Sequence, residues 1–239
     1  MKFIKISFFF LVLSLSTFAS DSTVVFKRWS IGINGSPDYC YRRLVRKSSN
    51  NATYNLANYK NSTEIPIYSY TGGISAAYSL NNYFSVSLGV AYSQKGFQTK
   101  SMDAVNVTAP EILLGQGTYR YDFKYIQLPL KVNFVYGKKK VRLLASAGLT
   151  SSFLYYEQTT TKIDYYNVSG TKETARYDYE TNPFNLFLTG GIGIDIKLGK
   201  KIGVIVEPTY NYGLFRTMDG SIVEYLWSAA LNVGCYIKL

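Results

Sequence analysis

Between Tyr83 and Gln94 large apolar residues (Phe84, Val86, Leu88, Val90 and Tyr92) alternate with small ones (Ser85, Ser87, Gly89, Ala91 and Ser93). A period of two belongs to an extended strand, whose successive side chains point to opposite faces. The same split recurs over 184–198, where Leu186, Leu188, Ile192, Ile194 and Ile196 oppose Asn185, Thr189, Gly191, Gly193, Asp195 and Lys197. It returns in the last strand, where Trp227, Ala229, Leu231, Val233, Cys235, Ile237 and Leu239 oppose Ser228, Ala230, Asn232, Gly234 and Lys238. Segments of this kind predict eight strands, near 29–41, 67–80, 83–98, 118–136, 141–156, 184–198, 201–215 and 224–239. Their connections alternate in length: 81–82, 137–140 and 199–200 are tight, whereas 42–66, 99–117, 157–183 and 216–223 are longer.

A soluble sandwich or lipocalin-like barrel encloses bulky side chains. Here the face opposite the apolar stripe is Ser, Gly, Ala, Asn and Thr. That predicts the reverse packing sense, with lipid outside and a narrow polar lumen within. After the N-terminal segment no window approaches 18 consecutive apolar residues, so helical spans are not expected. A closed barrel is the other structure that leaves no backbone donor or acceptor unpaired in lipid. The predicted fold is therefore all-β, an eight-stranded antiparallel up-and-down transmembrane β-barrel in one domain, 20–239. Such barrels carry short periplasmic turns and longer outer loops, which places both termini in the periplasm of a bacterial outer membrane. Tyr68, Tyr70, Tyr92, Tyr155, Tyr210, Tyr212, Tyr225 and Trp227 fall near the outer strand ends, and Trp29, Phe84, Phe134 and Tyr136 near the inner ones. They predict two aromatic girdles at the membrane interfaces.

Residues 1–19 place Lys2 and Lys5 before an apolar run from Ile6 to Leu15 and a Thr17-Phe18-Ala19 exit. This is the pattern of a secretory signal peptide cleaved after Ala19. Composition agrees with export into a membrane: 16% of residues are aromatic and only 17% charged, below the ~25% usual in soluble domains. The chain has no histidine. That removes imidazole acid–base chemistry, histidine-activated nucleophiles and imidazole metal ligation. No metal-ligand spacing, phosphate-cradling glycine loop or dinucleotide fingerprint is present, so neither metal nor cofactor is expected, and the chain reads as a non-enzyme.

The segment Tyr125-Ile126-Gln127-Leu128-Pro129-Leu130-Lys131-Val132 resembles a central strand of the PorT-like outer-membrane β-barrel family. Trp29-Ser30-Ile31-Gly32-Ile33 and the glycine-rich 145–148 and 190–193 strands fit the same layout. The resemblance implies a Gram-negative outer membrane, and the family's namesake is linked to protein export by the type IX route. A secretion role carried over in this way is an analogy at the level of fold.

Strand parity points Lys131, Arg142, Asp195, Lys197 and Glu207 into the lumen with Asn133, Asn232, Gln127, Asn185 and Asn211. Unpaired charges are costly there, so Arg142 is expected to pair with Asp195 and Lys131 with Glu207. Eight strands leave room for side chains and little else, which disfavours a general porin. The first outer segment carries Arg42, Arg43, Arg46 and Lys47, and also Lys60 against Glu64. These form either a patch for the phosphates of lipopolysaccharide or a solvated loop. The net charge of +11 is not read as a nucleic-acid footprint in an exported barrel. The acidic run Glu157, Asp164, Glu173, Asp178 and Glu180 is expected to be a solvated loop, and the sequons at Asn51, Asn61, Asn106 and Asn167 to be chance matches in polar loops. Cys40 and Cys235 fall at opposite ends of neighbouring strands, too far apart for a disulfide.

The resulting expectation is a non-enzymatic envelope component that docks a secretion-system or periplasmic protein and contacts outer-membrane lipids. The rival is a small solute conduit or ligand-binding barrel acting through its outer loops.

Overall fold

The computed structural model describes residues 28–105, 113–166, 169–176 and 181–239. The signal peptide, the sequons at Asn106 and Asn167, and Asp178 and Glu180 lie outside the described residues. The elements are β1 (Trp29–Arg46), α1 (Asn51–Thr63), β2 (Glu64–Ser79), β3 (Phe84–Thr99), β4 (Met102–Val105), β5 (Leu113–Tyr136), β6 (Val141–Tyr165), β7 (Thr171–Ala175), β8 (Phe184–Lys197), β9 (Ile202–Gly213) and β10 (Ile222–Lys238). Eight of the strands close into a ring, in the order β1, β2, β3, β5, β6, β8, β9, β10, and β10 returns to β1. Every pairing is antiparallel. The remaining two are short, with β4 adding to β5 and β7 to β6 beyond the ring proper.

The packing sense is inverted relative to a soluble core. Ile192 is 74% exposed on the outer wall, whereas Asp195, three residues along the same strand, is 3% exposed inside. The apolar wall offers ~25 Å of hydrocarbon-matched surface in barrels of this kind. Aromatic rings ring it at both ends: Tyr39–Tyr68, Tyr70–Tyr92, Tyr92–Tyr155 and Tyr210–Trp227 on the loop side, Trp29–Tyr78, Tyr83–Phe134 and Phe84–Phe134 on the turn side.

The loop-side strand ends reach farther than expected. β1 runs on to Arg46, β5 starts at Leu113 and β6 runs to Tyr165, so much of 99–117 and 157–183 is strand rather than loop. Gln158-Thr159-Thr160-Thr161 has the β-branched residues of a strand without the apolar alternation of a lipid-facing one. The predicted loop 42–66 also contains α1, capped by the Asn50 side chain, which accepts from the Thr53 N–H at 2.9 Å.

Two bulges re-aim side chains. Between Pro66 and Thr71 the β2–β3 register shifts by one, and Tyr155 is the extra residue where Lys124 faces Tyr156 but Tyr125 faces Leu154. The first turns Glu64 inward and the second turns Glu157 inward. Glu157 is therefore buried in the barrel rather than solvated in a loop. At the β5–β6 turn Gly137 takes φ +129°, a conformation that favours glycine.

Candidate functional site

The lumen is the place where the sequence concentrates its buried chemistry, and it is built in layers. On the turn side, β6 and β8 set Arg142 directly opposite Asp195, and the two form an ion pair. Tyr236 from β10 donates its hydroxyl to the other Asp195 oxygen at 2.9 Å. Gly203 makes room for that ring: a Cβ there would lie 2.4 Å from Tyr236 Cζ. One layer up, Lys131 reaches from β5 across the lumen to β9 and donates to Glu207 Oε2 at 3.1 Å. Ser146 donates to the second Glu207 oxygen. Asn133 donates to Ser87 Oγ at 3.1 Å. Lys131, Asn133, Arg142, Asp195, Lys197, Glu207 and Asn232 all line one cavity of 290 Å³, whereas Gln127, Asn185 and Asn211, assigned to the lumen with them, bond elsewhere to Ser152, Thr217 and Ser228.

Above this cavity the lumen closes. Thr150, Thr189, Asn211, Ser228 and Lys95 form a continuous hydrogen-bonded chain with contacts of 3.1, 2.8, 3.2 and 2.8 Å. Lys95 ends 3.7 Å from Asp38, which also accepts from Ser36 and Thr71. Over these sits a dry cluster of Phe97, Phe123, Tyr125, Phe187 and Leu226, with the Lys95 ammonium 5.4 Å from the centre of the Phe187 ring.

At the loop-side mouth Arg42 donates from Nε to Glu64 Oε2 at 2.6 Å and from a terminal nitrogen to the Lys60 carbonyl of α1 at 3.2 Å. Glu224 lies 3.9 Å from the same guanidinium and accepts from Lys60 Nζ at 2.5 Å. The guanidinium also stacks over Phe97 at 5.1 Å. Helix α1 is thereby tied to β1 and β10 at the mouth.

This corrects one sequence expectation. Arg42 is 2% exposed and cannot meet a lipopolysaccharide phosphate, because β1 continues past residue 41 and keeps even-numbered residues inward. Arg43, Arg46 and Lys47 do lie on the surface. Arg43 donates to Tyr212 Oη at 2.7 Å, Arg46 lies over the Tyr54 ring, and Lys47 pairs with Asp219. The hydrogen bond from Lys47, with help from the Arg216 charge, holds the Asp219 carboxyl below its ordinary range. Cys40 is buried in the wall opposite Ser228, and Cys235 faces outward opposite Ile33; both are free thiols.

Sequence reasoning missed Asp38, Lys95, Glu224 and Tyr236, and it placed Glu64 in the outer segment rather than in the lumen. Lys95 and Asp38 were findable, since each continues the inward parity of a recognised strand. Glu64 was not, because the bulge in β2 reverses its parity.

A family model for the outer membrane protein beta-barrel domain matches residues 16–219. Among solved structures, the chain is similar to Neisserial surface protein A, NspA, with 12% identity, 88% of this chain and 97% of that chain covered, and a TM-score of 0.47. It is also similar to outer membrane protein OprG from Pseudomonas aeruginosa, with 11% identity, coverage of 89% and 97%, and a TM-score of 0.44. A third is the outer membrane protease OmpT from Escherichia coli, with 7% identity, coverage of 92% and 99%, and a TM-score of 0.46. No curated protein matches the sequence.

Proposed function

Because the chain belongs to the outer-membrane β-barrel domain family, we propose that it is a sealed, non-enzymatic barrel that works as an envelope docking or assembly component through its ends rather than its lumen. The observation that carries this reading is the closure of the loop-side half. Arg42, Glu64, Glu224 and α1 stand over a dry cluster of five buried side chains, and Lys95 and Asp38 fill the layer beneath. A solute would have to break buried ion pairs to pass. The exposed ends then carry recognition, with the tight turns and both chain termini toward the periplasm. At the loop end α1 presents Tyr54, Leu56 and Tyr59 to the outside, flanked by Arg43, Arg46 and Lys47. Those three cations suit lipopolysaccharide phosphates, while the aromatic helix face suits a protein partner. The link to protein secretion rests on the PorT-like character of residues 125–132 alone.

Crosslinked affinity purification from native outer membranes, quantified against an unrelated barrel of similar abundance, tests the docking reading. A near-stoichiometric envelope protein is expected, and its recovery should fall when 51–63 is replaced by a glycine–serine linker; recovery of the barrel alone removes the proposal. In planar bilayers the purified protein is expected to show no conductance above the bare membrane. Steady single-channel steps would instead favour the small-conduit reading, in which Lys131, Arg142 and Glu207 line the path.

A further inference from the structure

The turn-side cavity has a charge imbalance that its ion pairs do not remove. Six charged side chains line it: the cations Lys131, Arg142, Lys197 and Lys238 and the carboxylates Asp195 and Glu207. Lys131 is matched to Glu207 and Arg142 to Asp195. Lys197 and Lys238 remain, and among the described residues neither ammonium has an ion pair or hydrogen bond. The pair is brought together by the wall itself. Lys197 N donates to the Lys140 carbonyl and Lys238 N to the Lys201 carbonyl, each at 2.8 Å, which fixes both at the turn-side rim. Lys238 lies within electrostatic reach of Arg142, Lys197 and Asp195, so like charges are held close in a partly enclosed space.

A second observation points the same way. Arg142 Nε is buried and meets no acceptor, although its guanidinium is otherwise committed to Asp195. A buried charged donor without a partner is rare, because leaving it unmade forfeits its full desolvation cost. The Arg142 side chain lines the same cavity as the two unmatched ammonium groups. The cavity, at 290 Å³, has room for a small molecule and reaches the rim of short turns through Asn81, Asn82 and Lys238.

We propose that this vestibule is a binding site for a small oxyanion of about two negative charges, a phosphate or dicarboxylate, held by Lys197, Lys238 and the free Arg142 N–H. Charge-assisted hydrogen bonds from two ammonium groups and one guanidinium match the tetrahedral or paired-carboxylate oxygens of such a ligand. The lysines contribute point charge and the arginine direction. The site faces away from α1 and does not depend on the docking reading. The inward-facing side chains favour a soluble anion over a lipid headgroup, which would have to leave the bilayer to enter the lumen.

Inorganic phosphate and succinate are the probes, titrated calorimetrically into the full barrel in neutral detergent at constant ionic strength set with chloride. Saturable binding is expected, weakened about tenfold or more in Lys197→Gln/Lys238→Gln. It should be unchanged in Lys139→Gln/Lys200→Gln, which removes the same charge from the exposed turns. Arg142→Lys keeps a cation for Asp195 but not the Nε donor, and an intermediate loss is expected. Heat-dependent mobility on electrophoresis shows that each variant is a folded barrel. An equal response from all variants, or none from the wild type, overturns the proposal. So does a response that needs phosphatidylglycerol in a nanodisc, since that assigns the charges to lipid.

Discussion

In the loop-side half of the lumen, charges are buried among aromatic rings; in the turn-side half, comparable charges stand around an open cavity. Arg42 has a side chain that is 0% exposed, with Glu64 and Glu224 beside it at 8% and 2%. Lys131 is 18% exposed and its Glu207 partner 2%. Both halves pair cations with carboxylates, yet they differ in what replaces water around them. Phe97 and Tyr41 flank Arg42, whereas Asn133, Asn232 and open space flank Lys131 and Arg142. Coulomb attraction strengthens as the local dielectric falls, and so does the penalty for leaving either partner alone. The dry half is thus the closely packed one, and the wet half is where space remains beside the charges.

The largest expected effect breaks this contrast at its dry end. Arg42→Met should strand Glu64 as a buried carboxylate and leave Glu224 with Lys60 alone, at a cost of about 3–5 kcal/mol. Urea unfolding in lipid vesicles measures it, and adding Glu64→Gln should return part of the loss. A cost below about 1 kcal/mol would place water at this layer and erase the distinction. In the wet half, Lys131→Glu is expected to destabilise by about 1–2 kcal/mol, because the cavity lets water screen the repelling carboxylates. Restoration by Glu207→Lys in the same chain, scored as a double-mutant cycle, would establish direct coupling; additive losses would show that the pair is bystander chemistry.

The smallest effect belongs to the exposed rim. Asp219 has a lowered pKa, so its contact with Lys47 contributes at neutral pH and is lost as the pH falls through the depressed folded value. The carboxylate is half-exposed at the rim, and its contribution should fade with added salt. Hydrogen exchange of 214–221 as a function of pH reads this clasp; exchange that is indifferent to both pH and salt would remove it.

The eight ring strands were legible because alternation of Leu, Ile and Val with Ser, Gly and Asn continues wherever lipid lies on one side and lumen on the other. The same parity located Lys131, Arg142, Asp195, Lys197 and Glu207 on one surface. Beyond the bilayer the apolar half of that code is no longer needed, so the polar extensions of β5 and β6 carried a weaker signal. Helix α1 was hidden for a related reason: Asn51–Thr63 is mostly polar, and only Thr53 and Ala57 are buried. Its position is secured by Arg42 of β1, which donates to the Lys60 carbonyl, and by the Lys60 ammonium, which reaches Glu224 of the neighbouring β10, contacts to residues distant from it in sequence.

The sequence by itself determined the inside and outside of the wall, the number of strands in the ring and which turn-side charges face the lumen, because a two-residue period is a local property of the chain. Only the tertiary structure decided that Arg42 belongs to a plug rather than a surface patch, that Glu64 and Glu157 point inward, and that Lys197 and Lys238 share a cavity with an unpaired arginine donor. Bulges reverse parity without a reliable local mark, and closure of β10 on β1 brings side chains together across a lumen that no local pattern encodes.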